Sequence, residues 1–160
     1  MEAYDARRNL IKEDDDGGDG YNAKIELIVS SGTVHFFKLR GYDEDERGLF
    51  RIFASHSPMP PITELRPGSS QSGNIEIGKS YWFSVRPASN GVLTVETTGD
   101  TDTMLEVYNE NFVFLDEDDD SGTDLNAKIV LNVRQGRTYY FILSAYDTDS
   151  GPYRISARVE

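Results

Sequence analysis

Three consecutive aspartates followed by a glycine turn occur twice in this chain, as EDDDGGDGYNAKI from Glu13 to Ile25 and as EDDDSGTDLNAKI from Glu117 to Ile129. Adjacent carboxylates repel, so a corner that carries them must leave them in water or give them a positive partner. Carboxylates and carbonyls are the donors a hard cation prefers, and calcium takes about six to eight such oxygens. The pattern therefore admits a calcium site. The alternative is a solvated turn, because Asp, Asn and Gly also favour tight turns for backbone reasons. An EF-hand is excluded by spacing: counted from Asp118 its twelfth position is Ile129, and counted from Asp116 it is Ala127, neither an acid. A calcium-binding β-roll needs tandem nonapeptides, and Gly17-Gly18-Asp19-Gly20 occurs once. Asn22 and Asn126 each stand just before an apolar run, where the amide can bond loop backbone or offer its carbonyl to an ion.

Catalytic chemistry finds less support. The chain has no cysteine and two histidines. His35 falls in an alternating run on the expected core face, and His56 lies beside a proline-rich stretch. No GxSxG elbow is present, and no histidine recurs with a candidate nucleophile. The acids concentrate in turns, where water keeps carboxylates mobile and ordinary. No catalytic residue is assigned. A formal net charge of −12 argues against nucleic-acid phosphates and anionic membrane surfaces as partners. No apolar run approaches the roughly 20 residues that would insert in a bilayer.

The acidic corners belong to a longer repeat. Shifting the sequence by 104 residues aligns Met1–Glu46 with Leu105–Ser150 without a gap, and nineteen of those 46 pairs are identical. One deletion then places Gly48, Arg51, Ile52 and Ala54 on Gly151, Arg154, Ile155 and Ala157. A period of this length suits whole domains rather than solenoid units. Residues 62–160 read as a complete copy and residues 1–54 as an incomplete C-terminal half. Between them, residues 55–61 contain Pro58, Pro60 and Pro61, which lack amide donors and define a semi-rigid linker.

The elements that position the corners follow a period of two. Tyr81, Phe83 and Val85 alternate with Trp82, Ser84 and Arg86, and Ile129, Leu131 and Val133 share a face. Phe141, Leu143 and Ala145 match Phe37, Leu39 and Gly41 of the half copy, whereas Ile142 and Ser144 match Lys38 and Arg40. The Phe141 face is therefore expected inside and the other face outside. An all-β, antiparallel β-sandwich of jelly-roll type follows, with about seven or eight strands in the complete copy. Trp82, Tyr140 and Tyr146 lie on the expected outer face, which permits an aromatic ligand-binding platform. The alternative is that these rings pack on neighbouring strands.

The stretches DTMLEVYN (Asp102–Asn109), DEDDDSGTDLNAKI (Asp116–Ile129), GRTYYFILSAY (Gly136–Tyr146) and SGPYRISARV (Ser150–Val159) together resemble the bacterial pre-peptidase C-terminal domains. Related collagen-binding modules of clostridial collagenases carry calcium. The resemblance thus implies a calcium site at Asp118, Asp120, Asp124 and Asn126, and a second at Asp14, Asp16, Asp19 and Asn22. Gly20 stands where the complete copy has Asp124, with Asp19 one place earlier, so the two sites would differ in affinity. The resemblance further implies a non-catalytic accessory module of a secreted or cell-surface bacterial protein, a peptidase above all, that aids export, stability or substrate placement. Its partner would be the parent peptidase domain or an extracellular polymer. Alternatives are a dedicated collagen- or carbohydrate-binding module and a structural surface or adhesion repeat. The incomplete half is expected to be completed from outside its own residues, with a homodimer of this chain foremost and exchanged strands or a separate N-terminal fragment as alternatives.

Overall fold

Short runs of alternating apolar and polar residues can bury one face only by pairing as extended strands. The computed structural model describes every residue except Ser30 and Glu44, and all regular elements among those residues are β-strands. The chain divides into two compact units, Met1–His56 and Ser57–Glu160.

In the first unit β1 (Glu2–Tyr4), β2 (Leu10–Glu13) and β3 (Phe36–Lys38) form one antiparallel sheet in the order β2-β1-β3. Ala3, on the central strand, pairs with Lys12 on one side and Phe37 on the other and is fully buried. The turn between β1 and β2 is built on Asp5, whose Oδ1 accepts the amides of Arg7 and Asn9, each at 2.8 Å.

The second unit has nine strands: β4 (Ile62–Glu64), β5 (Ser70–Ile75), β6 (Ser80–Val85), β7 (Gly91–Thr98), β8 (Thr103–Tyr108), β9 (Phe114–Asp118), β10 (Lys128–Val133), β11 (Tyr139–Ala145) and β12 (Gly151–Val159). They make a four-stranded sheet, β10-β7-β12-β5, and a five-stranded sheet, β4-β6-β11-β8-β9. Leu105, Phe141, Leu143 and Val85 of the five-stranded sheet join Leu93, Val95, Ile129 and Ile155 of the four-stranded sheet in one core, each 0–1% exposed. The face expected inside is the buried face. Fully burying one such aliphatic or aromatic side chain contributes about 1.5–3 kcal/mol.

Three expectations need correction. The complete copy holds nine strands rather than seven or eight, because Ile62–Glu64, directly after the prolines, joins the sheet edge. That strand pairs in parallel with β6, Ile62 opposite Trp82, so the sandwich is antiparallel everywhere but there. Trp82, placed on the accessible face, is only 9% exposed; it lies between Ile62 and Ile142 in the strand register, both apolar. The aromatic platform of Trp82, Tyr140 and Tyr146 therefore lacks its largest ring.

The β8–β9 turn repeats the β1–β2 turn. Asn109 Oδ1 accepts the amides of Asn111 and Val113 at 2.9 and 3.1 Å, as Asp5 does for Arg7 and Asn9. Phe112 and Arg8 take the same place and the same left-handed backbone, with φ of 57° and 65°. The matching strand order, β2-β1-β3 against β9-β8-β11, extends the likeness from sequence to topology.

Phe141→Ala is expected to destabilise the second unit by roughly 3–5 kcal/mol through the cavity it leaves between the sheets. Tyr140→Ala, on the half-buried outer face, is expected to cost less than about half of that. Denaturant titration followed by Trp82 fluorescence measures both, and a reversed order would overturn the face assignment.

Candidate functional site

The acidic stretch of the complete copy links β9, in one sheet, to β10, in the other. A crossover of this kind leaves backbone amides without ladder partners at both strand ends. Asp118, the last residue of β9, meets that need: its Oδ2 accepts the amide of Lys128 at 2.7 Å and that of Ser121 at 3.1 Å. Asp14 does the same in the first unit, accepting Lys24 N at 2.6 Å and Gly17 N at 3.1 Å. The first aspartate of each triplet is thus a clip between strand ends. The glycine that follows permits a close approach. Gly122 donates to Asn126 O at 2.8 Å, and a Cβ at Gly122 would lie 2.3 Å from that oxygen. Gly18 repeats the bond to Asn22 O at 2.7 Å, with the same obstruction to any side chain.

Asn126 fixes the far end of the loop. It is 3% exposed, and its Nδ2 donates to Thr123 O at 2.9 Å and to Gly99 O at 3.0 Å. The second bond ties the acidic loop to the β7–β8 turn. Ala127, fully buried, continues the seam: its amide donates to Thr103 Oγ1 and its carbonyl accepts from both Thr97 N and Thr97 Oγ1. Thr97 and Thr103 are hydrogen-bonded to each other at 2.6 Å. This buried ladder explains the Asn-Ala pair that closes the acidic stretch of the complete unit. In the first unit Asn22 keeps the inner bond, to Asp19 O at 2.7 Å, and is exposed.

The residues expected to bind metal are divided by this geometry. Asp118 and Asp14 serve backbone amides, while Asp120, Asp124, Asp16 and Asp19 are exposed. Asp124 has a left-handed φ of 57°, and Gly20, its counterpart, has 66°. The exchange of Asp for Gly at this place thus conserves a backbone shape that both residue types tolerate. Asp124 and Asn126 help to line a shallow depression of about 210 Å³ with Gly99, Asp100, Thr101 and Leu125. Among the described residues, no three carboxylate or histidine side chains are gathered closely enough to hold a metal ion. One oxygen suits a cation better than the rest: Asn126 Oδ1 is buried and has no hydrogen-bond partner.

Two acids that the sequence reading did not single out complete the corner. Asp149 Oδ2 accepts the amide of Asp102 at 2.7 Å, and this bond with that of Ser150 lowers its pKa. Burial first, and then the charges of Asp149, Asp119 and Asp120, raise the pKa of Asp102. The corner therefore imposes a negative potential at Asp102 that disfavours its own ionisation. Asp149 carried a usable signal, since it recurs as Asp45 in the repeat, whereas Asp102 precedes the repeated stretch.

The outer aromatic residues form a different group from the one expected. Tyr140 stacks on Phe112 with ring centroids 4.5 Å apart and an interplanar angle of 18°. Beside it, Tyr108, opposite Tyr140 in the register, meets Phe114 edge to face at 5.7 Å. Tyr146 is 48% exposed. His35 is half-buried and His56 exposed.

No protein-family model matches the sequence, and no curated protein matches it significantly. Solved structures do. The pre-peptidase C-terminal domain of a collagenase from Bacillus anthracis aligns with a TM-score of 0.55 at 13% identity, over 64% of this chain and 100% of that domain. PliG from Aeromonas hydrophila, a periplasmic inhibitor of g-type lysozyme, aligns at 9% identity over 62% of this chain and 97% of its own, with a TM-score of 0.48. CorA, a surface-associated copper-binding protein of Methylomicrobium album, gives 9% identity, 62% and 98% coverage and a TM-score of 0.46.

Asn126→Ala is expected to cost about 1–3 kcal/mol, since it leaves the carbonyls of Gly99 and Thr123 without their donor. Asn22→Ala, at an exposed loop, is expected to cost less than about 0.5 kcal/mol. Chemical denaturation of both variants measures the contrast, and equal costs would deny Asn126 its role as the tie between loop and turn. The collagenase likeness shows that the chain contains a β-sandwich with the same fold as that pre-peptidase C-terminal domain.

Proposed function

We propose that this chain is a non-catalytic accessory β-sandwich module of a secreted or cell-surface bacterial protein, a peptidase foremost, where it aids export, stability or placement of the substrate. The observation that carries this reading is the fold shared with a collagenase domain, joined to an acidic corner whose best-placed donors and acceptors hold the module's own backbone. Catalysis needs a nucleophile or acid–base pair fixed in a water-poor cleft. The polar groups best fixed here are Asp118, Asn126, Thr97 and Thr103, and each is engaged in closing the sandwich. Two depressions of the complete unit, about 240 and 210 Å³, are open to solvent, as suits a module rather than an active site.

Calcium belongs to this proposal as a structural ion at the acidic corner. A divalent cation there would relieve the repulsion centred on Asp102 and offer a partner to the unbonded Asn126 carbonyl oxygen. Asp120, Asp124 and Asp119 are the carboxylates free to move toward it. By linkage, an ion held with a Kd of order 0.1 mM stabilises by about 2 kcal/mol at about 5 mM calcium. A rise in Tm on the order of 10 °C over excess chelator is expected. Unchanged melting would leave the corner a solvated turn.

One observation favours a second reading, a binding module for collagen or polysaccharide: the stacked Tyr140–Phe112 pair and the adjacent Phe114 form an outer aromatic patch. The two readings separate in one experiment. Deleting the module from the polypeptide that carries it is expected to lower secreted yield or thermal stability while turnover of a small soluble substrate changes by less than about twofold. Retention of the isolated chain on insoluble collagen or polysaccharide, lost in Phe112→Ala, would favour the second reading instead. Substrate turnover by the isolated chain would overturn both.

A further inference from the structure

We propose that the Met1–His56 unit is an open docking half, completed by a polypeptide segment from outside these 160 residues that carries the strand pattern of Ile62–Met104. The complete unit shows what such a half requires. There, β10 pairs with β7, and β12 pairs with β7 on one side and β5 on the other. Both partners come from residues 62–104. The first unit has counterparts of β8, β9 and β11 as β1, β2 and β3, and these form their sheet. The counterpart of β10, Lys24–Val29, and that of β12, residues 48–56, adopt no strand although their apolar residues are retained. Strand sequences without strand partners stay unpaired, because a lone extended segment gains no ladder bonds.

Exposure follows the same division. Phe141 and Leu143 are 0% exposed, while Phe37 and Leu39 are 49% and 41% exposed. Ile155 is 0% exposed, while its counterpart Ile52 is 56% exposed. Asn22 holds Asp19 O as Asn126 holds Thr123 O, but the carbonyl equivalent to Gly99 O would have to come from the incoming segment.

The nature of the occupant follows from counting halves. Residues 1–160 hold two C-terminal halves and one Ile62–Met104 segment, and that segment is already paired within its own unit. Exchange between copies moves the vacancy without filling it. Two Met1–His56 units packed face to face would cover Phe37 and Leu39, but would give residues 24–29 and 48–56 no central strand. Only a segment that inserts a β7-like strand between them, with a β6-like strand beside β3, satisfies rings and backbone together.

The test is a full chain with an additional copy of Ile62–Met104 joined directly ahead of Met1, which restores the connection between Met104 and Leu105. Amide exchange over residues 24–29 and 48–56 is expected to slow by at least about tenfold relative to the unmodified chain, with light scattering showing a monomer. The same fusion with Val95→Asp in the added copy is expected to lose that protection while residues 105–160 keep theirs. Should the fusion fold poorly, fluorescein-labelled Ile62–Met104 peptide added to the unmodified chain gives a second reading, with saturable binding expected. Three results would overturn the proposal: no gain in protection together with no peptide binding, protection already present in a dimer of the unmodified chain, or protection in its compact monomer.

Discussion

The central strand β7 is the constraint on which the four-stranded sheet depends. It lies between β10 and β12, which follow it in sequence and have no direct pairing with each other. A sheet wired this way cannot form from the C-terminal half alone, because β10 and β12 require the earlier β7 as their template. Backbone amides and carbonyls must find partners once they leave water, so the loss of one interior strand releases both neighbours. The two units of this chain display that dependence side by side. With β7 present, the repeated sequence forms a closed core. Without an equivalent, only the strands that pair among themselves, β1, β2 and β3, take shape.

The same need for backbone partners governs the acidic corner. A crossover between sheets interrupts ladder pairing at Asp118 and Lys128, and a carboxylate there can accept two amides at once. Hydrogen bonds to an ionised acceptor are shorter and stronger than neutral ones, which suits a corner that must hold two sheets in register. Asp119 and Asp120 then follow the clip as loop residues. Their repulsion of Asp102 is the electrostatic side of the same corner, and it makes a cation a fitting partner. In the proposed calcium reading, Asn126 is the group that would serve both the loop, through Nδ2, and the ion, through Oδ1.

The repeat made much of this legible before any coordinates. Two copies of one pattern act as a pair of readings of the same fold: Lys38 and Arg40 opposite Ile142 and Ser144 decided which face of β11 lies inside. Period-two alternation did the same for β6, β10 and β12 at Phe83, Ile129 and Ile155. The parallel edge strand β4 was not legible, since three residues carry no period and the prolines before them suggested only a linker. Trp82 was misplaced for a related reason, because alternation describes a half-buried strand and β6 is covered at that point on both faces. At the corner, sequence marked the aspartates as a group but could not divide them. Asp118 and Asp120 are the same residue type two positions apart, and only the positions of the Lys128 and Ser121 amides distinguish clip from loop. Thr97, Thr103 and Asp102 were hidden because their partners lie across the sandwich rather than along the chain.

The contrast between β4 and β12 has a mechanical consequence. The first strand of the complete unit is held at a sheet edge by three register positions against β6 alone, whereas the last strand pairs with β5 over Gly151–Ser156 and with β7 over Arg154–Val159. Tension applied across this unit would meet unequal anchors. The entry side would yield by peeling β4, pair by pair, and release a few residues of slack next to the prolines. The exit side would have to shear two ladders together, which loads many hydrogen bonds at once. A module built in this way can give at one end under strain while its core remains intact.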